Sequence, residues 1–224
     1  MENSSLENSS LENSILIYAY PYSRSTRALW TAQELGLDYD VRFIDVKSKS
    51  RLTENGDCPH PLVKVPALID NSVQLFESVA ICKYLAENYG GDWLYPTEKK
   101  ARAETDMWLS YAITDLEQPL WTMLKHTMLL PEALRVPAIV PVARAEFEHA
   151  LRALPETLTP VGQAFTLADI FISHVLSWAK GLSIALSSPH EEYIKRCQSR
   201  PAFLQVRKQE AEAAERMKNE ARGA

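Results

Sequence analysis

Positive charge is not in surplus in this chain: 24 Lys and Arg face 29 Asp and Glu, a formal net charge of -5, and no basic stripe stands out. A nucleic-acid partner is therefore not expected, because phosphate binding needs clustered cations. Cysteine is scarce as well. Cys58, Cys82 and Cys197 are widely spaced and odd in number, and no Cys-x-x-Cys pair occurs. That pattern argues against a disulfide framework and a Cys-rich zinc site, and it fits a reducing compartment. No run of about 18 apolar residues occurs, so no membrane span is expected. The start lacks the basic and apolar segments of a secretory signal, which leaves the cytoplasm as the expected location. His60, His126, His149, His174 and His190 form no i, i+4 pair or carboxylate spacing suited to a metal, and none is expected.

What is present is an ordinary globular composition, 46% hydrophobic over 224 residues, enough for one large domain or two small ones. Residues 1–14 repeat Glu-Asn-Ser three times; so short and polar a segment cannot offset its ordering entropy, and it reads as a disordered tail. Residues 15–20 form an apolar and aromatic strand that ends at Pro21. Ala28, Leu29, Ala32 and Leu35 then recur at helical spacing, and Gly36 stands where a C-terminal cap belongs. Residues 39–46 alternate as a second strand, and 47–61 read as a polar loop. Residues 65–69 and 73–76 flank Asp70-Asn71-Ser72 as a hairpin, and 77–89 carry Val79, Cys82, Leu85 and Tyr89 at helical spacing before Gly90-Gly91. The order is βαβ followed by ββα, a small mixed sheet with helices against it.

Strand signals stop after residue 96. Residues 101–117, 142–154, 167–178 and 201–219 read as helices, separated by Pro119, Pro131, Pro137, Pro141, Pro155, Pro160 and Pro189. Thr166-Leu167-Ala168-Asp169 has the form of a capping box, with Phe165 and Ile170 as its hydrophobic staple. The last helix, with Glu210, Glu212, Glu215 and Arg216 among alanines, reads as solvated. The expected layout is a tail at 1–14, an α/β domain at 15–90, a linker at 91–98 and an all-α domain at 99–224.

Three stretches resemble the glutathione transferase superfamily, and the similarity runs over nearly the whole chain after Ser14. They are Ser23-Arg24-Ser25-Thr26-Arg27-Ala28-Leu29-Trp30 through Leu35-Gly36-Leu37; Lys64-Val65-Pro66-Ala67-Leu68 through Phe76-Glu77-Ser78-Val79-Ala80-Ile81 to Tyr84-Leu85; and Phe165-Thr166-Leu167-Ala168-Asp169-Ile170. The first is similar to the opening turn and helix of Ser-type, theta-like bacterial members. The resemblance implies a thioredoxin-like N-terminal domain with a mixed sheet, followed by an all-α helical bundle.

It also implies a site for glutathione, as co-substrate and without a metal. Pro66 would be cis and would aim the Val65 backbone at the extended peptide, which then pairs as an added strand. Glu77 and Ser78, at the start of a helix, would take the γ-glutamyl end: the unpaired N–H groups favour its carboxylate, and Glu77 its ammonium. Arg51 and then Lys64 would meet the glycine carboxylate. On the residues alone, Val65-Pro66 also reads as an edge-strand turn and Ser78 as an N-terminal cap. The sulfur needs a hydroxyl donor that favours its thiolate. Ser23 aligns with the theta-like serine, while the zeta-like position one residue earlier holds Tyr22. Tyr18, at the end of the first strand, matches Tyr-type members, although such a tyrosine is commonly core. Ser25 reads as a helix cap. Trp108, Tyr111 and Trp121 are candidates for lining the electrophile's pocket between the domains.

The implied activity is conjugation of the glutathione thiolate to a small electrophile, a detoxifying transferase, with a homodimer as the expected form. Two alternatives stand beside it: a glutathione-dependent isomerase or peroxidase, and a non-catalytic protein that keeps the fold for partner binding.

Overall fold

The computed structural model describes residues 15–45, 58–155 and 164–223. The tail expected at 1–14, most of the polar loop including Arg51, and Pro160 lie outside the described residues. The described chain forms two compact units: residues up to Tyr89 together with those from Ala202, and Gly90–Pro201.

In the first unit, β1 (Ile15–Ala19) is followed by α1 (Ser25–Glu34), β2 (Tyr39–Phe43), β3 (Ala67–Asp70), β4 (Val73–Phe76) and α2 (Ser78–Asn88). The sheet order is β2-β1-β3-β4. β1 runs parallel to β2 with Ile15 beside Tyr39 and antiparallel to β3 with Tyr18 beside Ala67, and β3 pairs antiparallel with β4. The sequence pattern follows from these positions. β1, between two neighbours, is apolar and mostly buried, whereas β2 at the edge alternates half-buried and exposed residues. Gly36 takes φ 64° just beyond α1, the left-handed stop that glycine adopts most readily. The expected βαβ-ββα order is the one observed.

The helix at the end of the chain, α8 (Pro201–Gly223), groups from Ala202 on with the sheet unit, not with the all-α stretch that precedes it. It was expected as a solvated helix, but Phe203, Val206, Glu210 and Ala213 are buried. These positions recur at i, i+3, i+7 and i+10, one stripe of a helix. Phe203 meets the fully buried ring of Trp30 of α1 with centroids 4.6 Å apart. Burying each ring contributes on the order of 2 kcal/mol, more than this helix gains from its exposed charges.

The second unit begins with an anchored segment: Leu94 and Tyr95 are buried, and the Leu94 carbonyl accepts the N–H of Leu167 at 2.8 Å. α3 (Lys99–Tyr111) then runs through a π-helical turn (Ala112–Leu116) into α4 (Glu117–Leu124), and a second π-helical turn (Lys125–Leu129) follows. Pro119 was expected to separate helices, yet it lies inside α4. Proline has no N–H to give the preceding turn and its ring crowds the carbonyl four residues back. The wider turn just before it, in which the Glu117 N–H reaches the Ala112 carbonyl, accommodates that mismatch. Pro141 and Pro189 likewise fall in the first turns of α5 (Ile139–Leu151) and α7 (Ser188–Gln198), where no N–H is needed. α6 (Leu167–Gly181) is buried on nearly every side and forms the centre of this unit.

Candidate functional site

Pairing carries the chain to one end of the sheet three times. Tyr18 sits beside Ala67 and Ala67 beside Phe76. The residues that leave those strands at that end are the 20–26 turn, Val65-Pro66 and Glu77-Ser78. The structure therefore brings Ser23, Pro66 and Ser78 to a common edge. The Val65-Pro66 peptide bond is cis. Arg27 of α1, fully buried, places its Nη1 3.5 Å from Ser78 Oγ of α2 and links the two helix starts.

The turn around Ser23 is built from its own hydroxyls. Ser23 Oγ donates to the Tyr20 carbonyl at 2.7 Å and lies 3.0 Å from Ser25 Oγ. The Ser25 N–H donates to Ser23 Oγ at 3.1 Å, and the Tyr20 N–H donates to Ser25 Oγ at 3.2 Å. A hydroxyl that accepts from an N–H becomes a better donor through its own proton. Ser23 is half-buried just before α1. Tyr22 is 46% exposed and has φ 59°, the left-handed region that a bulky residue seldom adopts.

Glu77 has φ 72°, and no side chain caps the start of α2. Ser78 is the first residue of that helix, only 6% exposed, and does not act as its cap. Its N–H and those that follow belong to the set a helix cannot pair internally, at the end where the helix dipole favours an anion. Exposed Lys64 and half-buried Val65 adjoin the cis bond. His60 packs on Phe76 with centroids 4.8 Å apart, and its Nδ1 accepts the Leu62 N–H at 3.0 Å. Burial lowers its pKa, with Glu77 opposing and Lys64 adding to the shift. It is thus a neighbour of the Glu77 end, and its place just before Val65-Pro66 was the available signal.

Tyr18 is 2% exposed and lies in a core cluster with Ile44 and Ala67, its hydroxyl 3.5 Å from Arg42 Nη1 and its ring under that guanidinium. In the helical unit, Trp108 and Tyr111 meet edge to face at 5.7 Å, and the Tyr111 hydroxyl donates to the Ala150 carbonyl at 2.8 Å. Tyr111 also lines a cavity of about 530 Å³ with Thr114, Asp115, Gln118, Glu146 and His149; Trp108 and the expected Trp121 are not among its lining residues. The thiols of Cys82 and Cys197 are buried and each pushed up to about 12 by desolvation, far from a reactive range.

Sequence pattern did not single out the residues that hold the Ser23 turn from outside. Glu210 of α8 accepts from Thr26 Oγ1 at 2.6 Å and from the Tyr22 N–H at 3.0 Å. These partners lie 184 and 188 residues away along the chain, beyond the reach of any local motif.

Comparison with known proteins agrees with this arrangement. Residues 14–87 match the family model for the glutathione S-transferase N-terminal domain. The glutathione S-transferase GstA of Escherichia coli O157:H7 is 33% identical over 70% of this chain and 78% of its own length. Human glutathione S-transferase theta-1 is 29% identical over 69% of this chain and 68% of its own. Among solved structures, a delta-class glutathione transferase of Nilaparvata lugens superposes with a TM-score of 0.76 at 26% identity, over 89% of this chain and 95% of that one. With its sheet order, cis Val65-Pro66 and open α2 start in the places that the resemblance implied, the chain belongs to the glutathione S-transferase family and is a glutathione transferase.

Proposed function

We propose that this chain binds glutathione along the end of its sheet and conjugates the glutathione thiolate to a small electrophile, with Ser23 as the hydroxyl that stabilises the thiolate. The observation that carries the proposal is the meeting of a half-buried hydroxyl donor, the cis Val65-Pro66 bond and an uncapped helix start at one sheet edge. Val65 offers backbone groups to the extended peptide, and the α2 start with Ser78 takes the γ-glutamyl carboxylate. Glu77 accepts from the ammonium, and Lys64, with Arg51, meets the glycine carboxylate. The Ser23 proton turns from the Tyr20 carbonyl to the sulfur and favours the charged, nucleophilic form. The thiol loses its proton to solvent, the thiolate attacks the electrophilic carbon, a carbon–sulfur bond forms, and the leaving group departs with its electron pair. Positioning and thiolate stabilisation supply the rate. Trp108 and Tyr111 belong to the electrophile side of this proposal, as do a homodimeric state, a cytoplasmic location and a detoxifying role.

Ser23 is preferred to Tyr22 and Tyr18 on geometry. The Tyr18 hydroxyl is buried beside Arg42, and the structure gives Tyr22 a backbone and ring role against α8. The test is glutathione titration with ultraviolet thiolate absorbance, on wild type and Ser23→Ala. Glutathione should bind both within a few-fold. The bound thiol pKa should rise only in the variant, with kcat down by about 10²–10³, the usual loss for one donor to a developing anion. An unchanged pKa would transfer the role to Tyr22, and no binding by wild type would remove the transferase mechanism.

A further inference from the structure

We propose that Glu210 is a positioning residue for the Ser23 turn: its buried carboxylate grips Tyr22 and Thr26, on either side of that turn, and so aims the Ser23 hydroxyl at the glutathione sulfur. This rests on Ser23 being the thiolate donor. The Glu210 side chain has no exposed surface. A carboxylate is costly to bury unless its lone pairs are used, and here each oxygen has a partner. Oε1 accepts from Thr26 Oγ1 at 2.6 Å and from the Tyr22 N–H at 3.0 Å; Oε2 accepts from Arg207 Nη1 at 2.9 Å.

The neighbouring positions of the same helix stripe are Val206 and Ala213. Packing alone would be met by another apolar side chain, so an acid at this position points to the hydrogen bonds it makes. One of those bonds falls at an uncomfortable stretch of backbone, since Tyr22 has φ 59°. Such a conformation persists in a bulky residue only when its surroundings fix it, and it sets the direction in which Ser23 leaves the turn. Arg207 completes the grip by lying over the Tyr22 ring at 4.3 Å while pairing with the same carboxylate. Two groups of α8 thus act on a turn near the other end of the chain, Arg207 through the Tyr22 ring and Glu210 through the Tyr22 backbone and Thr26, while Phe203 packs on Trp30 further along α1.

The consequence is coupling. If Glu210 acts through Ser23, removing both does little more harm than removing Ser23 alone. If it merely supports the fold, its loss carries the same factor whether or not Ser23 is present. The experiment is therefore a cycle on the full chain: wild type, Ser23→Ala, Glu210→Ala and the double variant. Glutathione and chlorodinitrobenzene serve as probes, with kcat, KM for glutathione and bound thiol pKa measured for each. Glu210→Ala should lower kcat by about ten- to a hundredfold, the cost of a displaced catalytic group, with a raised thiol pKa and KM within about threefold. In the Ser23→Ala background the same change should lower kcat by less than about twofold. Glu210→Gln, which keeps one acceptor oxygen, should recover part of the loss.

Equal factors in the two backgrounds overturn the inference and leave the Ser23 assignment intact. Should Ser23→Ala itself leave the thiol pKa unmoved, both fall together. If Glu210→Ala does not fold, Thr26→Val removes one of the two grips at a smaller structural change. It should then show a smaller kcat loss with the same lack of additivity, and additive loss in that variant rejects the inference.

Discussion

Two helix starts in this molecule are finished in opposite ways. At the start of α6 the Thr166 N–H donates to Asp169 Oδ2 at 2.8 Å in a capping box, and Tyr193 donates to the other carboxylate oxygen at 2.8 Å. α3 is closed in the same spirit by Glu98, which accepts from the N–H groups of Lys100 and Ala101. The start of α2 has no side-chain cap, although Glu77 stands at the capping position and Ser78 follows it. A closed start adds to stability; an open one forgoes roughly 1 kcal/mol of capping and keeps its N–H groups for a ligand. α5 and α7 also start without a side-chain cap, so under the proposed function it is the place of the α2 start, at the same end of the sheet as Ser23, that turns its open N–H groups into a binding feature.

The largest break in that comparison is Asp169→Ala. Asp169 is 2% exposed, so its loss leaves the Tyr193 hydroxyl and the Thr166 N–H without their acceptor inside the helical unit. Unfolding by denaturant should show about 3 kcal/mol or more of lost stability, one lost cap plus one stranded buried donor. The fraction that remains folded should keep wild-type kinetics. A loss under about 1 kcal/mol would mean that Cys197 Sγ or solvent takes over as acceptor for the freed donors.

That contrast was legible only in part. Thr166-x-x-Asp169 is a local pattern, and its meaning is complete within four residues. The strand and helix order of the first unit was equally plain, because a continuous apolar run gives way to helical spacing after Pro21 and to alternation after Gly36. The cis Val65-Pro66 bond came from resemblance and not from the residues themselves, as did the role proposed for Ser78. α8 was legible as a helix but not in its attachment, since a glutamate in its buried stripe reads as solvent-facing until Thr26 and Tyr22 are seen against it. The continuous run from α3 into α4 was hidden by Pro119, which normally ends a helix and here follows a π-helical turn.

Ser78→Ala sharpens the comparison from the open side. Its hydroxyl has only a 3.5 Å approach from Arg27 and no capping duty, so stability should change by less than about 0.5 kcal/mol. Glutathione affinity should fall by about tenfold, the value of one hydrogen bond to a charged ligand group, with the bound thiol pKa unmoved. Calorimetric titration and a denaturation curve on the same preparation read both quantities. Lost stability with intact affinity would make Ser78 a structural residue like Asp169 and reverse the distinction between the two helix starts.

The smallest effect concerns the charge of the closed start. Burial raises the pKa of Asp169 above its ordinary 3.8, against the opposing pull of hydrogen bonds from Thr166 and Tyr193 and the charge of Arg196. A carboxyl whose folded pKa is raised binds its proton more tightly in the folded chain than in the unfolded one. Its contribution to stability is then fully present below pH 3.8 and is lost as pH rises through the folded value. Asp169→Asn, which cannot titrate and keeps an oxygen for one of its two donors while turning an NH2 to the other, removes that dependence at a cost that does not vary with pH. The difference in unfolding free energy between wild type and Asp169→Asn should therefore move against wild type as pH rises from 3.8 towards neutrality. Movement in the opposite direction would show that the hydrogen bonds outweigh desolvation, so that the closed helix start favours the charged acid.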